Sequence, residues 1–314
     1  MTIARSLADV PHQKNSVVTV GTFDGVHAGH RAIIGELTSR AAVSGSRSVV
    51  ITFDPHPRTV VGKGVVDELT SLEERLELIA ALGVDCTLVL EFTYEFSRQS
   101  PREFWSRCLI NGTGVREAVI GYDHMFGRDR EAGLRELRGL GSEFGFGIRV
   151  VDPVSIDGRI VSSSRIRELL TRGDVAAAAK CLERPYAVSG TVVKGDGRGK
   201  QIGFPTANIV PAPPRKLVPA DGVYFVSADL GHERWYGMLN IGVRPTFVSE
   251  GKRTVEVHLF DFHGEASGRR ITVHFYQRLR GEKKFASADD LIRQLNADRE
   301  SCMKQIAAVQ VLSS

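Results

Sequence analysis

Cysteine is scarce in this chain: four in 314 residues, Cys86, Cys108, Cys181 and Cys302, all far apart. No C-x-x-C pair is present, which removes the usual signal for zinc or dithiol redox chemistry, and a disulfide framework does not suit a chain this long. Buried, reduced thiols in a cytoplasmic protein are the expectation. Long apolar runs are missing as well. None approaches the roughly 20 residues that a membrane helix requires, and the opening MTIARSLADVPHQKN, interrupted by Arg5 and Asp9, lacks the apolar centre of a signal peptide. Charge of one sign is not concentrated: 41 basic and 37 acidic residues leave a net charge of +4. With no basic run and no aromatic–basic ladder, neither nucleic acid nor a membrane is expected as a partner, whereas anionic small molecules are. No internal repeat is visible.

What is present is enough chain for two domains. Short β-branched runs at Val17–Gly21, Ser48–Phe53, Cys86–Glu91, Glu117–Gly121 and Gly147–Val151 alternate with helix-like stretches near His30–Ser44, Leu72–Leu82, Pro101–Ile110 and Ala132–Phe144. That alternation predicts an α/β unit with a parallel sheet covered on both faces. Thr70 and Ser100 are the expected helix N-caps. Two short helices broken at Gly173 follow, and near Pro185 the texture changes to strands without helix-length separations: Tyr186–Lys194, Phe204–Val210, Val223–Asp229, Glu233–Ile241, Thr254–Phe262 and Arg270–Leu279. An antiparallel sheet or small barrel with a terminal helix from about Ser287 is expected there. The domains are expected to be residues 1–184 and 185–314.

In the first half four polar segments fall just beyond strand carboxyl ends: GTFDGVHAGH (Gly21–His30), FDPHPR (Phe53–Arg58), GYDHMFGRDREAG (Gly121–Gly133) and SSSRIR (Ser162–Arg167). That edge of an open parallel sheet is where ligands bind. Gly21 and Gly25 permit a tight turn, and His27 and His30 flank the start of a helix, whose amides attract an anion by about 0.3–1 kcal/mol. Imidazoles add directed donors, so the pair suits nucleotide phosphates and charge developing during transfer. Two other readings stay open. Zinc is one, although this is not H-E-x-x-H and shows no third ligand; a purely local hydrogen-bonding pair is the other. A dinucleotide fingerprint fails, since Gly21, Gly25 and Gly29 are four apart.

In the second half VVKGDGRGKQIGFPTANI (Val192–Ile209) imitates a P-loop, but the spacing before Gly199 fails and Gln201 stands where Ser or Thr belongs. Lys194, Arg198, Lys200 and Arg184 around three glycines still suit phosphates, or else form a solvated hairpin. Thr206 and Asn208, two apart on an expected strand, offer hard oxygen ligands on one face that suit magnesium carried by ATP. In VEVHLFDF (Val255–Phe262) alternation puts Glu256 and His258 opposite Val255, Val257 and Leu259, which makes Glu256 either a general base or a solvent-facing charge.

GTFDGVHAGH resembles the G-x-F-D-G-x-H-x-G-H signature of the bacterial bifunctional riboflavin kinase/FMN adenylyltransferases (FAD synthetases), and TFDPHPR, GYDHMFG and SSSRIR resemble that family's further blocks in order. KGDGRGKQIGFPTANI, GVY, NIGVRPTF, VEVHLFDF and LRGEKKF resemble its riboflavin kinase part. The resemblance runs from about Val17 to Asp298. It implies a Rossmann-like nucleotidyltransferase domain followed by a six-stranded antiparallel Greek-key barrel with a terminal helix. It further implies ATP-dependent phosphorylation of riboflavin to FMN, then adenylyl transfer from ATP to FMN giving FAD and pyrophosphate, with Mg2+ accompanying ATP. By that resemblance His27, His30 and Arg167 act in adenylyl transfer. Gly21, Phe23, Gly25, Ser162, Ser163, Ser164, Lys194, Gly195, Gly199 and Lys200 would line the nucleotides, and Asp54, His56, Asp123, Arg280 and Phe285 the flavin. Thr206 and Asn208 would hold the metal, and Glu256 would be the kinase base. His124 stands where the family often has phenylalanine. A nucleotidyltransferase for another phosphorylated metabolite, with a barrel serving only as a docking module, is the alternative. A flavin-binding regulator without turnover is a third reading. Whether the chain forms a homo-oligomer is left open by the sequence.

Overall fold

A computed structural model describes residues 1–10, 15–62, 64, 66–122, 130–194, 199, 202–243 and 253–313. It divides the chain into two compact units, Met1–Ser163 and Ser164–Ser314.

The first unit is built on six parallel strands, β1 (Thr2–Ala4), β2 (Ser16–Val20), β3 (Arg47–Asp54), β4 (Cys86–Glu91), β5 (Val115–Gly121) and β6 (Gly147–Val151), in the order β1-β4-β3-β2-β5-β6. Five of them lie where the apolar runs predict to within a residue or two; β1 is new, a three-residue edge strand too short to carry a pattern of its own. The two-residue periodicity sorts the core. Val18, Val20, Val49, Ile51, Leu88, Ala118 and Ile120 pack to one side with Phe104, Trp105 and Leu137. Val17, Val50 and Val119 pack to the other with Ile34, Leu37 and Ile79. Both faces are therefore dry, as a parallel sheet requires.

The covering helices on the second side are α1 (Ala28–Ser44) and α3 (Leu72–Ala80); on the first are α5 (Pro101–Phe104), a π-helical segment (Trp105–Thr113) and α6 (Arg130–Phe144), while α2 (Pro57–Val60) and α4 (Tyr94–Ser97) are single turns. Two expectations are corrected here. The stretch expected as one helix from Pro101 widens into π form after Phe104 and stops at Gly114, whose φ of 63° is the left-handed conformation glycine adopts without cost. Thr70 is not a cap: Ser71 takes the Glu74 amide and Glu74 returns to the Ser71 amide, a reciprocal capping box. Ser100 caps as expected.

A short hairpin, β7 (Ser155–Ile156) with β8 (Arg159–Ile160), leads to α7 (Ser163–Thr171) and α8 (Val175–Leu182). These helices cluster with the barrel of the second unit because they are bonded to it. Leu170 C=O accepts from Ala220 N–H at 3.0 Å, and Gly173, at φ 81°, leaves the space taken by the Arg278 side chain and the Tyr224 hydroxyl.

The barrel is closed: β9 (Tyr186–Val193), β10 (Ala207–Pro211), β11 (Gly222–Leu230), β12 (Glu233–Val243), β13 (Arg253–Leu259) and β14 (Arg270–Arg280), in the order β10-β13-β12-β11-β14-β9 and antiparallel throughout. β14 returns to lie beside β11 of the β11–β12–β13 meander, which is the Greek-key crossing. β10 begins at Ala207 and not at Phe204, since Pro205 has no N–H to give the ladder. The last helix, α9 (Ala288–Ser313), starts after Ser287, whose hydroxyl accepts the Asp290 amide at 3.2 Å.

Candidate active sites

In the first unit the strand order turns back between β2 and β5, so the loop after β2 opens on the crevice left there. That loop is strained and tied down. Phe23 and Val26 carry positive φ angles of 48° and 38°, unusual for side chains of that size, each costing on the order of 1–3 kcal/mol. Hydrogen bonds from the next loop hold them. The buried Asp24 carboxylate accepts the amides of Leu69 and Thr70, each at 3.0 Å, and the Thr70 hydroxyl accepts the Gly25 amide at 3.0 Å. Ser163 donates its hydroxyl to Asp24 C=O at 2.9 Å. Asp24 and Thr70 are therefore the framework of the loop, a role that residues forty-six apart in sequence do not advertise.

The brace presents two imidazoles. His27 is the N-cap of α1, its Nδ1 accepting the His30 amide at 3.3 Å. The two rings stack with centroids 3.6 Å apart and planes inclined by 16°, and Phe23 meets His30 edge-on at 5.2 Å. Gly29 makes this possible: a Cβ there would stand 3.2 Å from the His27 ring. Burial, with help from His27 and then Arg75, pushes His30 well below the ordinary histidine pKa, so without ligand the ring is a neutral donor. The expected pair is thus brought together. No group of three or more His, Cys, Asp or Glu side chains arranged for a metal occurs among the described residues.

The remaining first-half expectations are placed as follows. Gly21 and Phe23 lie in the loop, the Phe23 ring 3.2 Å from where a Gly21 Cβ would be. Asp54 closes β3, and His56, buried, caps α2 by accepting the Arg58 amide at 3.2 Å. Ser162 is half-buried and Ser163 begins α7; Ser164, exposed, and Arg167, half-buried, follow on α7 in the second unit. Asp123 and His124 lie outside the described residues.

In the second unit the ladder assembles a polar row. Asn208 on β10 is paired with Glu256 on β13, and Glu256 in turn with Asn240 on β12. Paired residues share a face, with Cβ atoms about 4.5–5.5 Å apart, so a carboxylate is flanked by two amides. All three are half-buried, while the alternate residues Val255, Val257 and Leu259 are buried. Asn240 is the member that sequence reading missed; its signal was its place at the head of NIGVRPTF. Thr206 precedes β10, a correction to its expected place on the strand, and is exposed. The turn before it is held from both ends. Phe204 N–H donates to Gly199 C=O at 2.8 Å, and Pro205 C=O accepts from His258 Nδ1 at 2.7 Å. A cavity of about 350 Å3 opens here, lined by Lys194, Thr206, Ala207, Val257 and Phe262. Gly195 and Lys200 lie outside the described residues.

A second cavity of about 500 Å3 lies between β14 and α9, lined by Gln277, Arg280, Gln294, Asp298 and Lys304. Arg280 donates from Nε and Nη2 to the buried Asp298 carboxylate, both at 2.9 Å, and its guanidinium carbon lies 5.7 Å from the centre of the Phe285 ring. The two expected flavin-side residues of the barrel are thus neighbours, and Arg280 lines the cavity.

Comparison with known proteins relates both halves of the chain to described families. Residues 9–165 match the family described as FAD synthetase and residues 182–306 the family described as riboflavin kinase. The chain is 39% identical to the bifunctional riboflavin kinase/FMN adenylyltransferase of Pseudomonas fluorescens over 95% of its own length and 96% of the relative's. With that of Escherichia coli K12 it shares 36% identity over 93% of each chain. A crystal structure described as a macrolide-efflux protein from Streptococcus pneumoniae superposes with a TM-score of 0.87 at 31% identity, covering 96% of this chain and 98% of that one. Among the described residues no helix is long and apolar enough to cross a membrane.

Proposed function

The chain belongs to the bifunctional riboflavin kinase/FMN adenylyltransferase family, and from that premise we propose how its residues divide the work. The enzyme phosphorylates riboflavin to FMN with ATP and then transfers the adenylyl group of a second ATP to FMN, giving FAD and pyrophosphate. One observation carries this reading. A chain matched over 95% of its length by a bifunctional relative holds both a stacked histidine pair at a helix start and an Asn208–Glu256 ladder pair. Each half retains the groups its reaction needs, which speaks against a docking-only barrel.

Adenylyl transfer is assigned to residues 1–184 and kinase activity to 185–314. In adenylyl transfer an FMN phosphate oxygen attacks the α-phosphorus of ATP in line, the bond to the β-phosphate oxygen breaks, and pyrophosphate leaves. No covalent enzyme intermediate is required, so this chain contributes positioning and charge stabilisation. The first amides of α1 together with His27 and His30 receive the triphosphate. Arg167, one turn into the helix that Ser163 anchors, supplies a forked donor to phosphate oxygens. Gly21, Phe23, Gly25 and the serines Ser162, Ser163 and Ser164 surround the nucleotide, and Asp54, His56 and Asp123 face the flavin.

In riboflavin phosphorylation Glu256 accepts the proton of the ribityl 5′-hydroxyl as that oxygen attacks the γ-phosphorus and ADP leaves. Asn208 and Asn240 hold the carboxylate in place from both sides. The Thr206 hydroxyl and Asn208 amide oxygen are hard, neutral donors, and with no metal-holding cluster of His, Cys, Asp or Glu among the described residues they fit a magnesium ion that would arrive with ATP. Bound there, magnesium neutralises phosphate charge. Lys194, Gly195, Gly199 and Lys200 line the phosphates, and Arg280 with Phe285 the isoalloxazine side. Four buried, free cysteines accord with a cytoplasmic enzyme.

The test is direct. Purified protein incubated with riboflavin, ATP and magnesium should yield both FMN and FAD on chromatographic separation. FAD from supplied FMN, with nothing from riboflavin, would leave only the transferase.

A further inference from the structure

Arg75 on α3 is one of the largest fully buried side chains of the molecule, with no exposed surface. Nη1 donates to Thr52 Oγ1 at 3.2 Å and to Phe53 C=O at 2.9 Å, at the end of β3. Thr52 Oγ1 passes the link on, donating to Thr22 C=O in the loop that carries His27 and His30. The other edge of the guanidinium, Nε and Nη2, is buried and has no hydrogen-bond partner among the described residues. A buried cation left half-satisfied is costly and calls for a partner that accepts. His30 Nδ1, in the loop that Thr22 belongs to, is likewise buried with no hydrogen-bond partner among the described residues. The Arg75 charge is near enough to lower the pKa of that imidazole, after burial and His27.

We propose that Arg75 is a positioning residue of the adenylyl-transfer site, its Nε/Nη2 edge fixing His30 as the tautomer protonated on Nε2. A guanidinium has five N–H donors and no lone pair. If His30 carried its proton on Nδ1, donors would face donors and both sides would stay unsatisfied. With Nδ1 as the lone pair, it accepts from Arg75, directly after a small approach or through one buried water. The proton is then on Nε2, the nitrogen left to donate to a phosphate oxygen. His27 reaches the same tautomer by another device, since its Nδ1 accepts the His30 amide. Backbone sets one member of the stacked pair and Arg75 sets the other. The proposal rests on the adenylyl-transfer reading for what the tautomer achieves, but the tautomer itself is measurable without substrate.

The test uses the full chain labelled with 15N-histidine, with His30 assigned by the signal lost in His30→Asn. In the ligand-free wild type at pH 7.5 the His30 ring shifts should show a lone pair on Nδ1 and a proton on Nε2. Arg75→Lys, which keeps a donor-only cation, should retain that pattern. Arg75→Met should give a mixture of tautomers and lower kcat for FAD formation from FMN by roughly 10- to 100-fold, with FMN formation from riboflavin in the same sample unchanged. A proton on His30 Nδ1 in the wild type overturns the proposal and needs no variant that could misfold. So does an unchanged tautomer in Arg75→Met. The proposed tautomer in a wild type that makes no FAD would sustain the positioning role and sink the functional reading instead.

Discussion

The imidazole pair of the first unit is stacked and braced, with His27 buried and His30 half-buried under Phe23, whereas the polar row of the barrel, Asn208, Glu256 and Asn240, lies half-buried on a strand ladder. His27 and His30 are held by a helix start, by the Asp24–Thr70 framework and by two strained residues. Glu256 lies on the strand ladder, paired with Asn208 on one side and Asn240 on the other. The difference suits the chemistry proposed for each site. Adenylyl transfer needs no group to take a proton, so its donors gain from being dry and fixed. The proposed kinase step needs a carboxylate that an incoming hydroxyl can reach, which a half-buried ladder position allows.

The largest effect that would break this contrast is in the barrel. Glu256→Gln keeps the shape and hydrogen bonding of the row but cannot take the proton, so FMN formation should fall by roughly 10²–10⁴-fold. FAD formation from supplied FMN, measured in the same preparation, should stay at its wild-type rate. An undiminished kinase would make Glu256 a solvent-facing charge after all.

His30→Ala should act in mirror image, lowering FAD formation from FMN by about 10²–10³-fold while riboflavin phosphorylation continues. Equal loss of both activities would point to a damaged fold and erase the comparison. A smaller effect is expected at the metal-side pair: Asn208→Ala should raise the KM for ATP in the kinase assay by about tenfold. Added magnesium should partly restore the rate, and a kcat-only effect would instead mark Asn208 as a prop for Glu256.

Much of this contrast was legible in the residues. Cys86–Glu91 and Gly147–Val151 are strands with the bounds their β-branched runs give, and H-x-G-H lies at the predicted helix start. Local pattern decides such features. Thr70 shows the limit: by spacing it is a helix cap, yet its hydroxyl serves Gly25, forty-five residues away, and Ser71 takes the cap. Arg75 shows it again. In LEERLELIA it reads as an ordinary charged helix position, and only tertiary packing puts a guanidinium under the sheet edge. Thr206 was misplaced because Pro205 delays the ladder, and Asn240 was overlooked because pairing across three strands is invisible one strand at a time.

The smallest effect sharpens the comparison through pH. Burial lowers the pKa of His30 well below the usual 6.5, and burial also lowers that of His258 in the barrel, where the Pro205 carbonyl offsets part of the shift. In each case the unfolded chain binds a proton near pH 6.5 that the folded site resists, so unfolding free energy falls as pH drops below that value. The first unit should soften more, because its histidine resists protonation more strongly. By contrast Asp229, whose carboxyl the Arg234 guanidinium holds below its usual 3.8, stabilises the barrel at all higher pH and withdraws that support only in stronger acid. Hydrogen exchange at pH 7.5 and 5.5, after correction for intrinsic rates, should therefore show a greater loss of protection in β2 and α1 than in β13. His30→Gln should flatten the first response and leave the second, and His258→Gln should do the opposite. Equal softening in both units, indifferent to either substitution, would mean that the dry site is no drier than the wet one.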